Sequence, residues 1–184
     1  MLTRRRNYIR VKVESLLHES GVTEPEVPVE KIAKRHGIEI RSQPIDEEGV
    51  SGFLARRPGQ AAIIGVNSNQ PEKRRRFTVA HELGHFFLHG EQGQQEVHVD
   101  RTHQFSVKLR SPASSRGDDI EEVEANLFAA ELLMPTRFIE HDFARQSIDL
   151  SDDDEAAAAL AERYGVSTQA MSIRLAYLGL INAT

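Results

Sequence analysis

The segment from Asn69 to Gly90, NQPEKRRRFTVAHELGHFFLHG, restricts the fold of this 184-residue chain more than any other stretch. It reads as one helix. Pro71 suits the first helical turn, where its missing N–H has no partner to lose, and Asn69 stands where it can cap the exposed amides. Phe77, Val79, Ala80, Leu83, Phe86, Phe87 and Leu88 make the segment apolar on nearly every side, the mark of a buried helix. Yet it also carries His81, Glu82 and His85 in the pattern HExxH. With a rotation of about 100° per residue, the two histidines lie on one face and can point at one ion. Glu82 is displaced around the helix, towards a water beside a metal rather than towards the metal itself. Burying three such side chains without partners is costly, so either a metal or a hydrogen-bond network must satisfy them.

The chain is long enough for one domain with a full core, and 39% hydrophobic and 28% charged residues describe a globular protein. It contains no Cys, which fits a reducing compartment and removes disulfides and thiolate metal sites from consideration. Any metal must therefore use His and carboxylate. The start, MLTRRRNYIRVKVESLLHESG, is basic, but Arg10, Lys12 and Glu14 interrupt its apolar residues, so it does not read as a signal peptide. No stretch is long and apolar enough to span a membrane. A cytoplasmic location without membrane association is the expectation. A net charge of −5 and a pI near 5.9 give no general electrostatic reason to bind nucleic acid.

Along the chain, Ile9, Val13, Leu16 and Leu17 recur at helical spacing between Tyr8 and Glu19. The preceding Arg4-Arg5-Arg6 reads as a frayed, solvated terminus rather than an anion grip. A short helix is expected over Val29 to His36, then a strand at Ile38 to Ile40. Ser51 to Ala55 and Ala61 to Val66 are β-type runs separated by a Pro-Gly turn, a hairpin leading into the HExxH helix. The strand before that helix either forms the rim of a cleft and pairs with an extended peptide, or only covers the core. After Gly90, Phe105 to Leu109 alternates like a strand and 111–117 reads as a loop; this polar connection is either a lid or a surface insertion. Helices are then expected at Ile120 to Leu133, capped by Asp118 or Asp119, at Thr136 to Arg145, at Asp154 to Tyr164 and at Thr168 to Leu178. The five acids between Asp149 and Glu155 fit a solvated linker and helix start.

A hydrolytic metal site of this kind needs a third protein ligand and one open position. In one group of metalloproteases a further His supplies it, reached through a Gly turn, but Leu88 and Glu91 stand where that Gly and His belong. Glu122 is the better choice. It begins a face of the Ile120 to Leu133 helix that continues with Asn126, Ala129 and Leu133, whereas Glu121 and Glu124 are rotated away by about 100° and 200°. The small Ala125, Ala129 and Ala130 let this helix lie close to another. Asn126 follows Glu122 by one turn, placed to hold the outer nitrogen of a ligand His and fix its tautomer. Glu82 is then the general base that takes a proton from water and passes it to the leaving amine. His89 could extend the row of ligands but reads more simply as a helix cap. His98, His103 and His141 are candidates for an oxyanion donor, each more simply a surface histidine.

RRRFTVAHELGHFFLH followed by EEVEANLFAAELLMP resembles the ImmA/IrrE family of metallopeptidases, and SGFLARRPGQAAIIGVN is similar to that family's hairpin. The likeness covers most of the region from Val27 to Pro135. It implies an α+β, thermolysin-like, gluzincin-type zincin fold, with a helical C-terminal subdomain. The metal ligands would be His81, His85 and Glu122, with Glu82 as catalytic acid/base. The metal implied is zinc, with manganese or another divalent ion left open. The substrate class implied is protein, typically a helix-turn-helix transcriptional repressor whose cleavage releases genes for stress response or mobile-element transfer. Some members carry an N-terminal DNA-binding domain, for which the residues before Val27 are too few. The expected division is a peptidase domain over 1–148 and a helical subdomain over 149–184. The latter segment, LAERYGVSTQAMSIRLAYLGL, fits a helix-turn-helix. Its second helix offers only Gln169, Ser172 and Arg174 towards bases, so packing or partner recognition is expected over DNA binding. An enzymatically silent, metal-stabilised interaction module or a DNA-binding regulator is the alternative.

Overall fold

The helical and β-type runs take their places in a computed structural model that describes residues 2–47, 49–89, 96–101, 117–144 and 153–181. In chain order they are α1 (Leu2–Glu19), α2 (Val29–Arg35), β1 (Ile38–Gln43), β2 (Val50–Arg56), β3 (Ala62–Asn67) and α3 (Glu72–Leu88). β4 (Glu96–Arg101), α4 (Gly117–Leu133), α5 (Thr136–Ala144), α6 (Asp153–Tyr164) and α7 (Thr168–Leu178) follow. The expected α+β class is the one found. No helix among the described residues is long and apolar enough to cross a membrane. The chain forms two compact units, Pro28–Ala129 on one hand and Met1–Val27 with Ala130–Thr184 on the other.

The Pro28–Ala129 unit is built on a four-stranded sheet in the order β1-β3-β2-β4. β2 and β3 form the expected antiparallel hairpin, β1 adds parallel to β3, and β4 adds antiparallel to β2. The strand before the HExxH helix is therefore not a rim: β3 has β1 on one side and β2 on the other, so its backbone groups are used within the sheet. The outer edges among the described strands are those of β1 and β4. Leu54, Ile64 and Val66 of the hairpin face the core with Val79, Ala80 and Leu83 of α3.

Asn67 ends β3 and is almost wholly buried. Its Oδ1 accepts from the amides of Ile45 (3.2 Å) and Asn69 (3.0 Å), and its Nδ2 donates to the carbonyls of Ile45 and Val50 (both 3.1 Å). All the hydrogen-bonding capacity of the amide tip is used to fasten the β1–β2 connection to the entrance of α3. The cap expected from Asn69 is absent; Pro71 is the N-cap residue and its side chain makes no capping bond. Asn67 governs this entrance instead.

In the other unit, α1 begins at Leu2 rather than near Tyr8, so Arg4-Arg5-Arg6 is helical, not frayed. Arginine is a good helix former, and the Arg6 guanidinium lies 5.3 Å from the centre of the Tyr177 ring. Ile9, Val13, Leu16 and Leu17 are buried on the expected face. α7 starts at Ser167, whose hydroxyl accepts from the Ala170 amide, and ends at Gly179 in the left-handed conformation (φ 72°). Arg174 does not reach outward from this helix. It is buried, pairs with Glu131, and donates to the Met134 carbonyl (3.1 Å) and to Thr136 Oγ1 (3.0 Å). Glu131 also accepts from the Thr136 amide (3.0 Å), capping α5 across the Met134-Pro135 link. The single basic residue that the sequence offered to DNA from α7 is thus committed to the fold. Asp142 accepts from Arg163 Nε and from the Tyr164 hydroxyl, each at 2.9 Å; burial, reinforced by that bond, pushes the Tyr164 pKa above its usual range.

Candidate metal centre

Two close contacts set the position of α3. A Cβ on Gly52 of β2 would lie 2.5 Å from Thr78 Cγ2, so the helix rests its Thr78 methyl in a place on the sheet that only glycine leaves open. On its other flank, a Cβ on Gly84 would lie 2.9 Å from Ala125 Cα and 3.0 Å from the Ala125 carbonyl oxygen, so α3 and α4 touch backbone to backbone. Glu122 and Asn126 stand on α4 on either side of this contact, and His81 and His85 on α3 likewise. The small residues of α4 were legible in the sequence; the matching role of Gly84, inside HELGH, was not.

At that crossing the expected residues come together. His81 and His85 are 2% and 3% exposed, and Glu82 is fully buried between them in sequence. His81 Nε2 lies 3.1 Å from His85 Nε2, and the Glu122 oxygens lie 3.4 Å from His81 Nε2 and 3.3 Å from His85 Nε2. Glu122 is about one third exposed, so the cluster is open on its side. Asn126 Oδ1 is 3.1 Å from His81 Nδ1. An amide oxygen only accepts, so Nδ1 donates in this bond and Nε2 is the ring nitrogen left facing the cluster.

These distances test whether a metal fits. Ligands held tetrahedrally at about 2.0–2.1 Å from one ion stand roughly 3.3 Å apart. The two histidine nitrogens, 3.1 Å apart, are close to that spacing; each carboxylate oxygen of Glu122 faces one of them, Oε2 at 3.4 Å from His81 and Oε1 at 3.3 Å from His85, and one ligand atom from each of the three residues falls within a group spanning no more than 4.8 Å. Two imidazole nitrogens and a carboxylate suit a divalent cation and leave room for a further ligand. The donor set fits; nothing in it selects zinc over other divalent ions.

The remaining candidates lie elsewhere. His89 caps the end of α3, where its Nε2 is 3.7 Å from Glu124 Oε2 of α4. His141 is exposed on α5, 3.9 Å from Asp142. His103, the expected strand at 105–109 and the loop at 111–116 lie outside the described residues, as does the side chain of His98 in β4. Arg56, which the sequence did not single out, reaches from the end of β2 to the carbonyl of His85.

A sheet-backed HExxH helix crossed by a second helix bearing a glutamate and an asparagine gives this α+β domain a donor set that suits a divalent metal. The family model Peptidase_M78, described as the IrrE N-terminal-like domain, matches residues 33–176, and the chain belongs to that family. Membership suggests a metallopeptidase, and the His81, His85 and Glu122 group could hold a divalent metal. A solved structure of a Mycobacterium tuberculosis transcriptional regulator is similar in fold, with a TM-score of 0.58 and 19% sequence identity over 94% of this chain. The match takes in 48% of that protein, so the chain spans about half its length. No curated protein matches the chain.

Proposed function

We propose that this chain is a cytoplasmic zinc metalloendopeptidase of thermolysin-like, gluzincin-type architecture that cleaves a regulatory protein, such as a helix-turn-helix transcriptional repressor. The observation that carries the reading is the convergence of His81, His85 and Glu122 at separations suited to one tetrahedral ion. These three side chains would hold the metal, and Asn126 keeps His81 in the tautomer that leaves Nε2 free to ligate. When bound, the metal supplies Lewis-acid activation of water and of the scissile carbonyl. Glu82 takes the proton from the attacking water and returns it to the leaving amine. Its complete burial keeps bulk water from competing for that proton. The family supports a protein substrate, and a repressor as that substrate is compatible with the similar fold of a protein named a transcriptional regulator. In this reading residues 1–148 carry the catalysis and 149–184 serve packing or partner recognition. The burial of Arg174 weighs against a DNA-reading α7.

The test is co-expression with candidate helix-turn-helix repressors, beginning with any that an adjoining gene encodes. Wild type should release defined fragments. Glu82→Gln should keep its metal and leave the repressor whole, and His81→Ala should lose the metal. Cleavage by Glu82→Gln at the wild-type rate would falsify the peptidase mechanism.

A further inference from the structure

The last turn of α3 carries His85, and a helix end is where a ligand is least well fixed, because the final carbonyls have no partners further along the helix. Here that turn is held from outside. Arg56 at the end of β2 donates from Nη2 to the His85 carbonyl (2.7 Å), which also accepts from the His89 amide (3.1 Å). The same guanidinium lies 5.0 Å from the centre of the Phe86 ring. Its charge sits at the negative end of the α3 dipole. Arg56 is itself fixed by the sheet, since β2 is paired on both sides and Arg56 stands opposite Glu96 of β4. On the α4 side, His89 meets Glu124.

We propose that Arg56 is a positioning residue for the metal centre: by fastening the His85 carbonyl to the sheet it fixes the rotation of the last turn of α3, and so the direction in which His85 Nε2 points. The inference rests on the metal-centre reading given above. It sets the backbone of a ligand residue under the control of a side chain that does not touch the ion. A cation near a metal site would by itself oppose metal binding. The two effects therefore predict opposite signs when Arg56 is removed: loss of positioning weakens binding, and loss of repulsion strengthens it.

The test is titration of metal-free wild type, Arg56→Met and Arg56→Lys with zinc and with cobalt(II), whose visible spectrum reports ligand geometry. Arg56→Met should bind about 10- to 100-fold more weakly, the range typical of lost outer support for a ligand. Its cobalt spectrum should be altered, and Arg56→Lys should recover part of both. Circular dichroism identifies the folded fraction, and a purely structural role would lower thermal stability while leaving affinity and spectrum of that fraction unchanged. Wild-type affinity and spectrum in folded Arg56→Met, or tighter binding, overturns the inference while leaving the metal centre standing. Failure of wild type to take up either ion overturns both.

Discussion

Gly84→Ala offers the sharpest structural perturbation of the centre. The new Cβ would sit 2.9 Å from Ala125 Cα, 3.0 Å from its carbonyl oxygen and 3.3 Å from its Cβ. Non-bonded carbons rest at about 3.5–4.0 Å, so the helices must separate by roughly half an ångström or more at this point. Two of the three clashing atoms are backbone, and no rotamer change relieves them. Overpacking of this kind costs about 1–3 kcal/mol, partly offset by the gain of roughly 1 kcal/mol from replacing a helical glycine. Net stability should therefore fall modestly. Metal binding should fall much more, because Glu122 lies one turn before Ala125 and moves with it, while His81 and His85 stay on α3. Oxygens that now stand 3.3 and 3.4 Å from the histidine nitrogens would leave the spacing that one ion requires. We expect at least a tenfold loss of zinc affinity in competition with a chromophoric chelator, with a fall of only a few degrees in melting temperature. Ala125→Gly in the same background should restore little, since the Cα and carbonyl contacts remain. Wild-type affinity in Gly84→Ala would refute the claim that this contact sets the geometry of the centre.

Other consequences follow from the buried polar groups. Asn67→Ala removes four hydrogen bonds and strands the backbone groups of Ile45, Val50 and Asn69; chemical denaturation should show a loss of about 2–4 kcal/mol. Arg174→Ala leaves Glu131 buried without its guanidinium partner and should cost about 3–5 kcal/mol by the same measurement. If α7 instead used Arg174 to bind DNA, that substitution would abolish a salt-sensitive gel shift while leaving stability near wild type.

The HExxH helix was legible because its periodicity, length and paired histidines all agree, and Glu122 because a face of small residues singles it out from its acidic neighbours. α7 was legible to the residue through Ser167 and Gly179, whose capping roles depend on local chemistry alone. What escaped was decided by contacts distant in sequence. Glu96-Val97-His98-Val99-Asp100-Arg101 is too polar to announce a strand, and β4 exists because its backbone pairs with β2. Asn67 looked like the end of a β-run, yet it fastens a loop some twenty residues earlier in the chain. Arg174 and Glu131 read as ordinary helix-surface charges, and only their meeting over 43 positions shows them to be a buried pair. Gly84 was hidden inside a motif that drew attention to its histidines.

In the proposed mechanism His81, His85 and Glu122 hold one metal while Glu82 stays free to move protons. Metal content of the purified variants, measured by mass spectrometry beside wild type, tests it most directly. Wild type and Glu82→Gln should each carry about one equivalent of a divalent ion, and Glu122→Ala should carry close to none. Full occupancy in Glu122→Ala, or loss of metal in a folded Glu82→Gln, would rule out this assignment of ligands and base.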